Sequence, residues 1–348
     1  MRTFVPDSVE SILVLRLYFV GDVLLATPVL ASLRAAFPSA RIDVMIKRRA
    51  SDVLAENPDV DDVIVYDGVA SYHSPFWLGR LATRLRRAHY DLVVDLTGDH
   101  RSSLLMAAAG PGFRVGVNHA GLGFLLDRRI PYMAEGHIVD HLLKSVESLG
   151  VIPEVRTPVL RLRQDELAES ASLIAAAGID PARPFVALSP GANWVYRRWP
   201  ADRFGALASR VREEMGVPSV VLGSRADIEI AHSAAAASGG AGVSIAGDTS
   251  IRTLAGVASQ AAVFVGNDSG PLHIAASLGT PVVGLFGPNT PDRYAPRGAE
   301  SRVIWRRPSC SPCSQKRCRR PGEPCMLEIT VDEVLDAVRS LLGSKEGM

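Results

Sequence analysis

Nowhere in the chain do about 18 uncharged apolar residues run together, the length a membrane-spanning helix requires. The first apolar stretch, Ile12 to Leu17, is shorter than a signal-peptide core and is interrupted by Arg16. A protein that neither spans a membrane nor is obviously exported is expected, and hence a cytoplasmic one. An excess of one charge is missing too, since 38 Lys and Arg stand against 37 Asp and Glu, a formal net charge of +1. Without a clustered cationic surplus there is no sequence-independent attraction to phosphate backbones, so no nucleic acid partner is expected. Cysteine is scarce: its four residues all lie between Cys310 and Cys325, which is no disulfide framework for 348 residues. Neither G-x-G-x-x-G nor Gly-Lys-Ser/Thr stands at a strand-to-helix turn, so the dinucleotide fingerprint and the P-loop are both absent.

What is present is an ordinary globular composition, 47% hydrophobic, in a chain long enough for two domains with separate cores. Apolar runs of strand length alternate with amphipathic segments of helix length, the pattern of parallel sheets covered by helices on both faces. In the first half Ile12 to Leu17, Ile42 to Ile46, Val63 to Tyr66, Leu92 to Leu96 and Arg114 to Val117 read as strands. Val29 to Phe37, Phe76 to Arg87, Ser102 to Ala109 and His137 to Leu149 read as helices. Between Val151 and Pro184, prolines flank a single helical stretch from Gln164 to Ala177, a candidate linker. The alternation then restarts, with strands at Phe185 to Ser189, Ser219 to Leu222, Val243 to Ala246, Ala262 to Val265 and Val282 to Phe286. Helices are expected at Ala201 to Met215, Ala226 to Ala237, Ile251 to Ala258 and Pro271 to Leu278. Domains at 1–160 and 161–330 follow, and 331–348 forms a closing helix expected to pack back on the first domain before a frayed end from Gly343 to Met348. The two halves share an architecture but no residue-level repeat.

Three strand ends carry residues suited to chemistry. Ile12 to Leu17 runs into Tyr18-Phe19-Val20-Gly21-Asp22, where a carboxylate beside a glycine faces the crevice that forms beyond the strands of an open parallel sheet. Asp22 is either a functional carboxylate there or a cap on the following helix. Ser189 to Pro200 places Arg197 and Arg198 between two tryptophans, where guanidinium groups suit an anion and can neutralise a diphosphate without a metal; a solvated surface pair is the alternative. Gly266-Asn-Asp-Ser-Gly-Pro-Leu-His273 feeds a helix whose N-terminus presents free N–H groups and the positive end of its dipole, an arrangement that binds phosphate. Ser269 and Gly270 would donate to it. The competing assignment makes Asp268 a helix cap and His273 a packed core residue. Asp227, Glu229 and Thr249 follow two further strands and can either reach a ribose or cap helices. Arg48, Arg49, Arg84, Arg86, Arg87, Arg101, Arg128 and Arg129 are spread over the first half, available to an acidic acceptor or to anionic lipid headgroups, or else a solvated face.

Cys310, Cys313, Cys318 and Cys325 are spaced Cys-x2-Cys-x4-Cys-x6-Cys in a loop rich in Pro, Arg and Lys. Four thiolates so close can form a tetrahedral zinc site, but the neighbouring arginines also suit metal-free thiols ordering an irregular loop. In either case a structural part outside the ligand loops is expected.

Taken in this order, the strand–Gly21-Asp22–helix opening, the Ser189-Pro-Gly-Ala…Arg198-Trp-Pro block and the segment from Asn267 to Pro288 resemble glycosyltransferase family 9, whose best-known members are the ADP-heptose:lipopolysaccharide heptosyltransferases. The resemblance runs from Ile12 to Val338. It implies an α/β fold of GT-B architecture, two Rossmann-like parallel-sheet domains facing across a cleft, with acceptor on the first and nucleotide-sugar donor on the second. It implies an inverting glycosyltransferase with no cofactor and no metal, moving heptose from ADP-heptose to a hydroxyl of a lipopolysaccharide-core or related glycan acceptor. Such an acceptor is compatible with peripheral contact on the cytoplasmic face of the inner membrane. Asp22 falls on the family's catalytic base. Arg197, Asp268, Ser269, Gly270 and His273 fall on its donor-facing residues, and Asn193, Asp227 and Thr249 complete the donor-binding set. Ala192 and Asn193 replace a hydroxyl pair found in some members, and Arg197 stands where others have lysine. A nucleotide-sugar epimerase of the same architecture and a catalytically silent nucleotide-sugar-binding protein are the alternatives.

Overall fold

The computed structural model describes residues 3–67, 75–118, 122–131, 133, 135–247, 249–313, 315, 317–322 and 324–343. The chain divides into two compact units, Met1–Val159 and Leu160–Met348. In the first, β1 (Ser11–Arg16), β2 (Arg41–Lys47), β3 (Asp62–Tyr66), β4 (Leu92–Asp95), β5 (Phe113–Val117) and β6 (Arg128–Ile130) form one parallel sheet in the order β3-β2-β1-β4-β5-β6. In the second, β7 (Val186–Ser189), β8 (Ser219–Val221), β9 (Gly242–Ser244), β10 (Val263–Asn267), β11 (Val282–Phe286) and β12 (Ser301–Trp305) pair as β12-β11-β10-β7-β8-β9. Counted from the start of each unit these are the same strand order, the doubly wound arrangement whose reversal lies between the first and fourth strands.

Strands buried on both faces can be apolar at every position, and β1, β4, β7, β10 and β11 are, with Ser11, Arg16, Asp95, Ser189 and Asn267 at their ends as the polar exceptions. The strands that sequence reasoning missed, β6 and β12, are edges. Neither has a continuous buried run, and β6 exposes two arginines. The expected helices appear with ends shifted by a few residues, among them Thr27–Ala36, Pro75–Arg87, His100–Ala108 and Ile138–Glu147 in the first unit. The closing helix Val331–Gly343 buries Val334, Leu335, Val338 and Leu341 in the core of the second unit, beside Trp199, Phe204 and Leu207. Residues 344–348 lie outside the described residues.

The helical stretch after the first unit, Gln164–Ala176, packs against Ile251–Gln260 across a buried ion pair. Both oxygens of Glu166 accept from Arg252, from Nε at 2.8 Å and Nη2 at 2.6 Å, and Oε2 also accepts from the Arg163 amide at 2.8 Å. The Arg252 guanidinium holds the Glu166 carboxyl down to about 2 from an ordinary 4.5. The stability this pair contributes is complete above the unfolded value and is lost as pH falls toward the folded one. Glu166→Gln should therefore cost on the order of 3 kcal/mol at neutral pH, because it removes the carboxylate charge that offsets the buried Arg252 guanidinium. In denaturant unfolding, the gap between variant and wild type should narrow between about pH 5 and about pH 3. An unchanged gap would show that the pair carries no such charge coupling.

Candidate functional site

Beyond the carboxyl ends of the central strands, the connections of an open sheet leave in opposite directions and open a crevice. In the first unit that place lies past β1 and β4. Arg16 ends β1, 4% exposed, and its guanidinium is spread over three partners. Nη1 donates to the Leu96 carbonyl, Nε to the Asp22 carbonyl at 3.2 Å, and Nη2 to Asp22 Oδ1 at 3.4 Å, while the group stacks 4.9 Å over the Tyr18 ring. Thr97 ties the two strand ends together: Oγ1 accepts from the Leu17 amide at 2.8 Å and donates to the Leu15 carbonyl at 3.3 Å, and its own carbonyl accepts from Tyr18 OH at 3.3 Å. The turn carrying Thr97 is shaped by Asp95, which accepts from the Thr97 and Gly98 amides at 2.9 and 3.0 Å and from Ser102 Oγ at 2.8 Å. Burial nevertheless pushes the Asp95 carboxyl up to about 6.

Asp22 is the third residue of the short helix Val20–Leu24. Its Oδ2 accepts from the Phe19 amide at 3.3 Å, so it does cap the helix, yet its side chain stays 28% exposed. The capping bond therefore leaves part of the carboxylate open to solvent. Around it the surface is cationic. Arg49 and Lys47 lie 4.6 and 5.9 Å from the Phe19 ring, and burial together with Arg101 and Arg49 pulls the Lys47 ammonium below its usual range. Most other first-half arginines are taken up within the unit: Arg48 pairs with Asp67, Arg84 with Asp62, Arg101 with Asp99, and Arg128 and Arg129 bond to backbone carbonyls.

In the second unit the corresponding place lies past β7 and β10. Asn267 ends β10 fully buried, donating to the Pro190 carbonyl at 2.8 Å and accepting from the Trp199 amide at 2.9 Å, so one side chain fixes both ends of the segment 190–199. Trp199 itself is a core residue, edge-on to Phe204, with Nε1 donating to the Ile329 carbonyl at 2.9 Å. The two adjacent arginines therefore separate in role. Arg198 turns back to the Ala192 carbonyl at 2.9 Å, whereas Arg197 reaches Asp268, with Nη1 3.2 Å from its carbonyl and 3.4 Å from Oδ2.

Asp268 is not a helix cap. The cap position of Gly270–Ser277 is Ser269, which makes no side-chain cap bond, and its Oγ is buried without a hydrogen-bond partner among the described residues. His273 is buried on the same helix. Asp227 caps its own turn through Ser224, with Oγ to Oδ2 at 2.6 Å, and its carboxyl fills the space where a Cβ on Gly191 would sit, 2.6 Å away. Only glycine at 191 lets that carboxylate lie against the start of the Arg197 segment. Thr249 Oγ1 donates to the Gly223 carbonyl at 3.0 Å. Arg197, Asp268, Ser269 and Gly270 are thus brought together, Asp227 lies against the same segment at Gly191, and Asn193 is exposed without a described hydrogen-bond partner.

The cysteine loop departs from expectation. The four thiols line one small cavity with Tyr196, and burial together with the other three cysteines pushes the Cys325 thiol up to about 11, although among the described residues no ligand set for a metal ion is assembled. Gln315 of this loop donates to Asn289 and accepts from Arg197, so the loop reaches the Arg197 cluster instead of standing apart from it. Arg16, Thr97, Asn267, Asn289 and Gln315 were missed. Only Arg16 carried a sequence signal, as the charge that breaks an apolar strand.

Comparison with known proteins bears on the family and the fold. A model of glycosyltransferase family 9 (heptosyltransferase) matches residues 78–322. Lipopolysaccharide heptosyltransferase 2 of Salmonella typhimurium is 28% identical over 97% of this chain and 100% of its own length. Lipopolysaccharide heptosyltransferase 3 of Escherichia coli is 26% identical over 82% of each. A family 9 glycosyl transferase from Veillonella parvula superposes with a TM-score of 0.86 at 24% identity, covering 96% of this chain and 97% of that one. The E. coli ADP-heptose lps heptosyltransferase II gives 0.77 at 24%, covering 97% and 99%. With two Rossmann-like sheets of GT-B type and a family match over most of its length, the chain is a glycosyltransferase and belongs to family 9.

Proposed function

We propose that the protein is an inverting heptosyltransferase that moves heptose from ADP-heptose to a hydroxyl of a lipopolysaccharide-core glycan. The observation that carries the donor side is the cluster at the end of β10: a guanidinium, a buried unpartnered hydroxyl and a helix N-terminus converge on one place, as a diphosphate requires. The relatives named for lipopolysaccharide heptosyltransfer support the choice of sugar and acceptor. The domain assignment follows: residues 1–160 take the acceptor and 161–330 the donor.

In this mechanism Asp22 accepts the proton of the acceptor hydroxyl as its oxygen bonds to the anomeric carbon, and the bond from that carbon to the diphosphate breaks on the opposite face. Arg16 and the Phe19 amide orient the carboxylate and leave it partly exposed to an incoming hydroxyl. The departing diphosphate gains charge in the transition state, and Arg197, Ser269 and the Gly270 amide are preorganised donors for that charge. Asp227 and Thr249 serve the ribose, Asn193 the exposed edge of the donor, and His273 packs beneath the loop. The cationic surface of Lys47 and Arg49 beside Asp22 suits an anionic acceptor. Among the described residues no helix is long and apolar enough to cross a membrane, and action at the cytoplasmic face of the inner membrane on a lipid-borne acceptor is part of this proposal.

Asp22→Asn should lower transfer from ADP-heptose to a truncated lipopolysaccharide by about 100- to 10,000-fold, because the amide keeps the shape but cannot take the proton. Donor affinity should stay near wild type. Turnover within a few-fold of wild type would make Asp22 a helix cap only.

Arg197→Ala should weaken ADP binding by about 1.5–3 kcal/mol, the contribution of a hydrogen bond to a charged group. Calorimetric titration of ADP measures it, and unchanged affinity would leave Arg197 as a structural partner of Asp268. Since the guanidinium supplies the neutralising charge, activity should also survive chelation of divalent cations; complete loss in chelator, restored by magnesium, would contradict a metal-free route.

A further inference from the structure

Arg197 is held from two sides, and the second side comes from the cysteine-bearing loop. Its Nη1 lies against Asp268, and its Nε donates to Oε1 of Gln315. The other end of the Gln315 amide closes a ring: Nε2 donates to Asn289 Oδ1 at 2.5 Å, and Asn289 Nδ2 donates to Asp268 Oδ2 at 2.6 Å. Each link pairs one donor with one acceptor, so both amides have a single orientation that satisfies the ring. Among the described residues Nη2 of Arg197 has no partner.

Gln315 is carried at a costly backbone angle, φ +62°, in the left-handed region that a non-glycine residue seldom adopts. Its loop is fastened to the turn after β11. The Cys313 amide and Ser311 Oγ both donate to the Pro288 carbonyl, at 3.2 and 3.1 Å, and the sulfurs of Cys325 and Met326 occupy the space a Cβ on Gly287 would need, 2.7 Å away. The four thiols line the cavity directly behind this attachment, together with Tyr196, the neighbour of Arg197.

From this ring we infer that Gln315 is a positioning residue: it sets the plane of the Arg197 guanidinium so that Nη2 and the outward N–H of Nη1 face the donor diphosphate. The cysteine-bearing loop is then a working part of the donor site. A guanidinium fixed before binding loses less rotamer freedom when the anion arrives, which raises affinity without a new contact. The inference rests on the reading that Arg197 binds the diphosphate, and the two are separable by a double-mutant cycle.

ADP is titrated into wild type, Gln315→Ala, Arg197→Ala and the double variant, with the isosteric Gln315→Met as a second probe and thermal unfolding recorded for each. Either Gln315 variant should weaken ADP binding by about tenfold, the scale of one hydrogen bond to a charged group, while melting close to wild type. In the Arg197→Ala background Gln315→Ala should add less than about twofold, since its effect runs through Arg197. A purely structural part for the loop would instead give factors that multiply, and that result overturns the inference. So does wild-type affinity in Gln315→Ala when Arg197→Ala is weakened, or loss of folding in both Gln315 variants. Unchanged affinity in Arg197→Ala itself would overturn the diphosphate reading, and the inference with it.

Discussion

A carboxyl group buried at the mouth of a parallel sheet must find hydrogen-bond partners, and in this protein that need organises the whole second site. Asp268 is 3% exposed and directly follows the strand β10, which runs through the middle of the sheet. An unsatisfied buried carboxyl would cost several kcal/mol. Its partners are drawn from three separate segments: Arg197 from the loop after β7, Asn289 from the turn after β11, and through them Gln315 from the cysteine loop. Satisfying one carboxyl thus places a guanidinium beside the N-terminus of Gly270–Ser277, where an anion is favoured twice over, by the charge and by the free amides.

The first unit solves a mirrored problem with the opposite sign. There the buried group at the strand end is the cation Arg16, and the residues that surround it, Leu96, Asp22 and Tyr18, are what define the crevice wall. The two sheets share one strand order, so the crevice falls at the same topological point in each. They differ in what lies past it: a short helix with a partly exposed carboxylate in one, a helix N-terminus with a buried hydroxyl in the other. A shared frame with divergent loops is how one architecture can present different chemistry at the same topological point, and the proposed proton acceptor and diphosphate cradle use that freedom.

Much of this was legible before any coordinates. Strands buried on both faces betray themselves as continuous apolar runs, which is why β1, β4, β7, β10 and β11 were found, while the edge strands β6 and β12, exposed on part of their length, were not. Asp22, Arg197, Asp268 and Ser269 could be singled out because each stands in a segment that follows a buried strand, where the crevice of such a fold opens. The supporting residues were not. Nothing in the local sequence distinguishes Gln315 from a surface glutamine in a polar loop, and its partner Arg197 is 118 positions away. The neighbours of the closing helix were hidden for a related reason: an amphipathic pattern says that one face is buried, not against what.

The most direct test of the account is the product made by the wild-type protein from ADP-heptose and a heptose-deficient lipopolysaccharide acceptor, measured by mass and by the anomeric configuration of the new linkage. The account requires an acceptor heavier by one heptosyl residue, with the configuration of the donor's anomeric carbon inverted and ADP released in equal amount only when acceptor is present. Donor altered or consumed without acceptor would indicate an epimerase or a hydrolase, and tight ADP binding with no product would indicate a binding protein; either result contradicts the account.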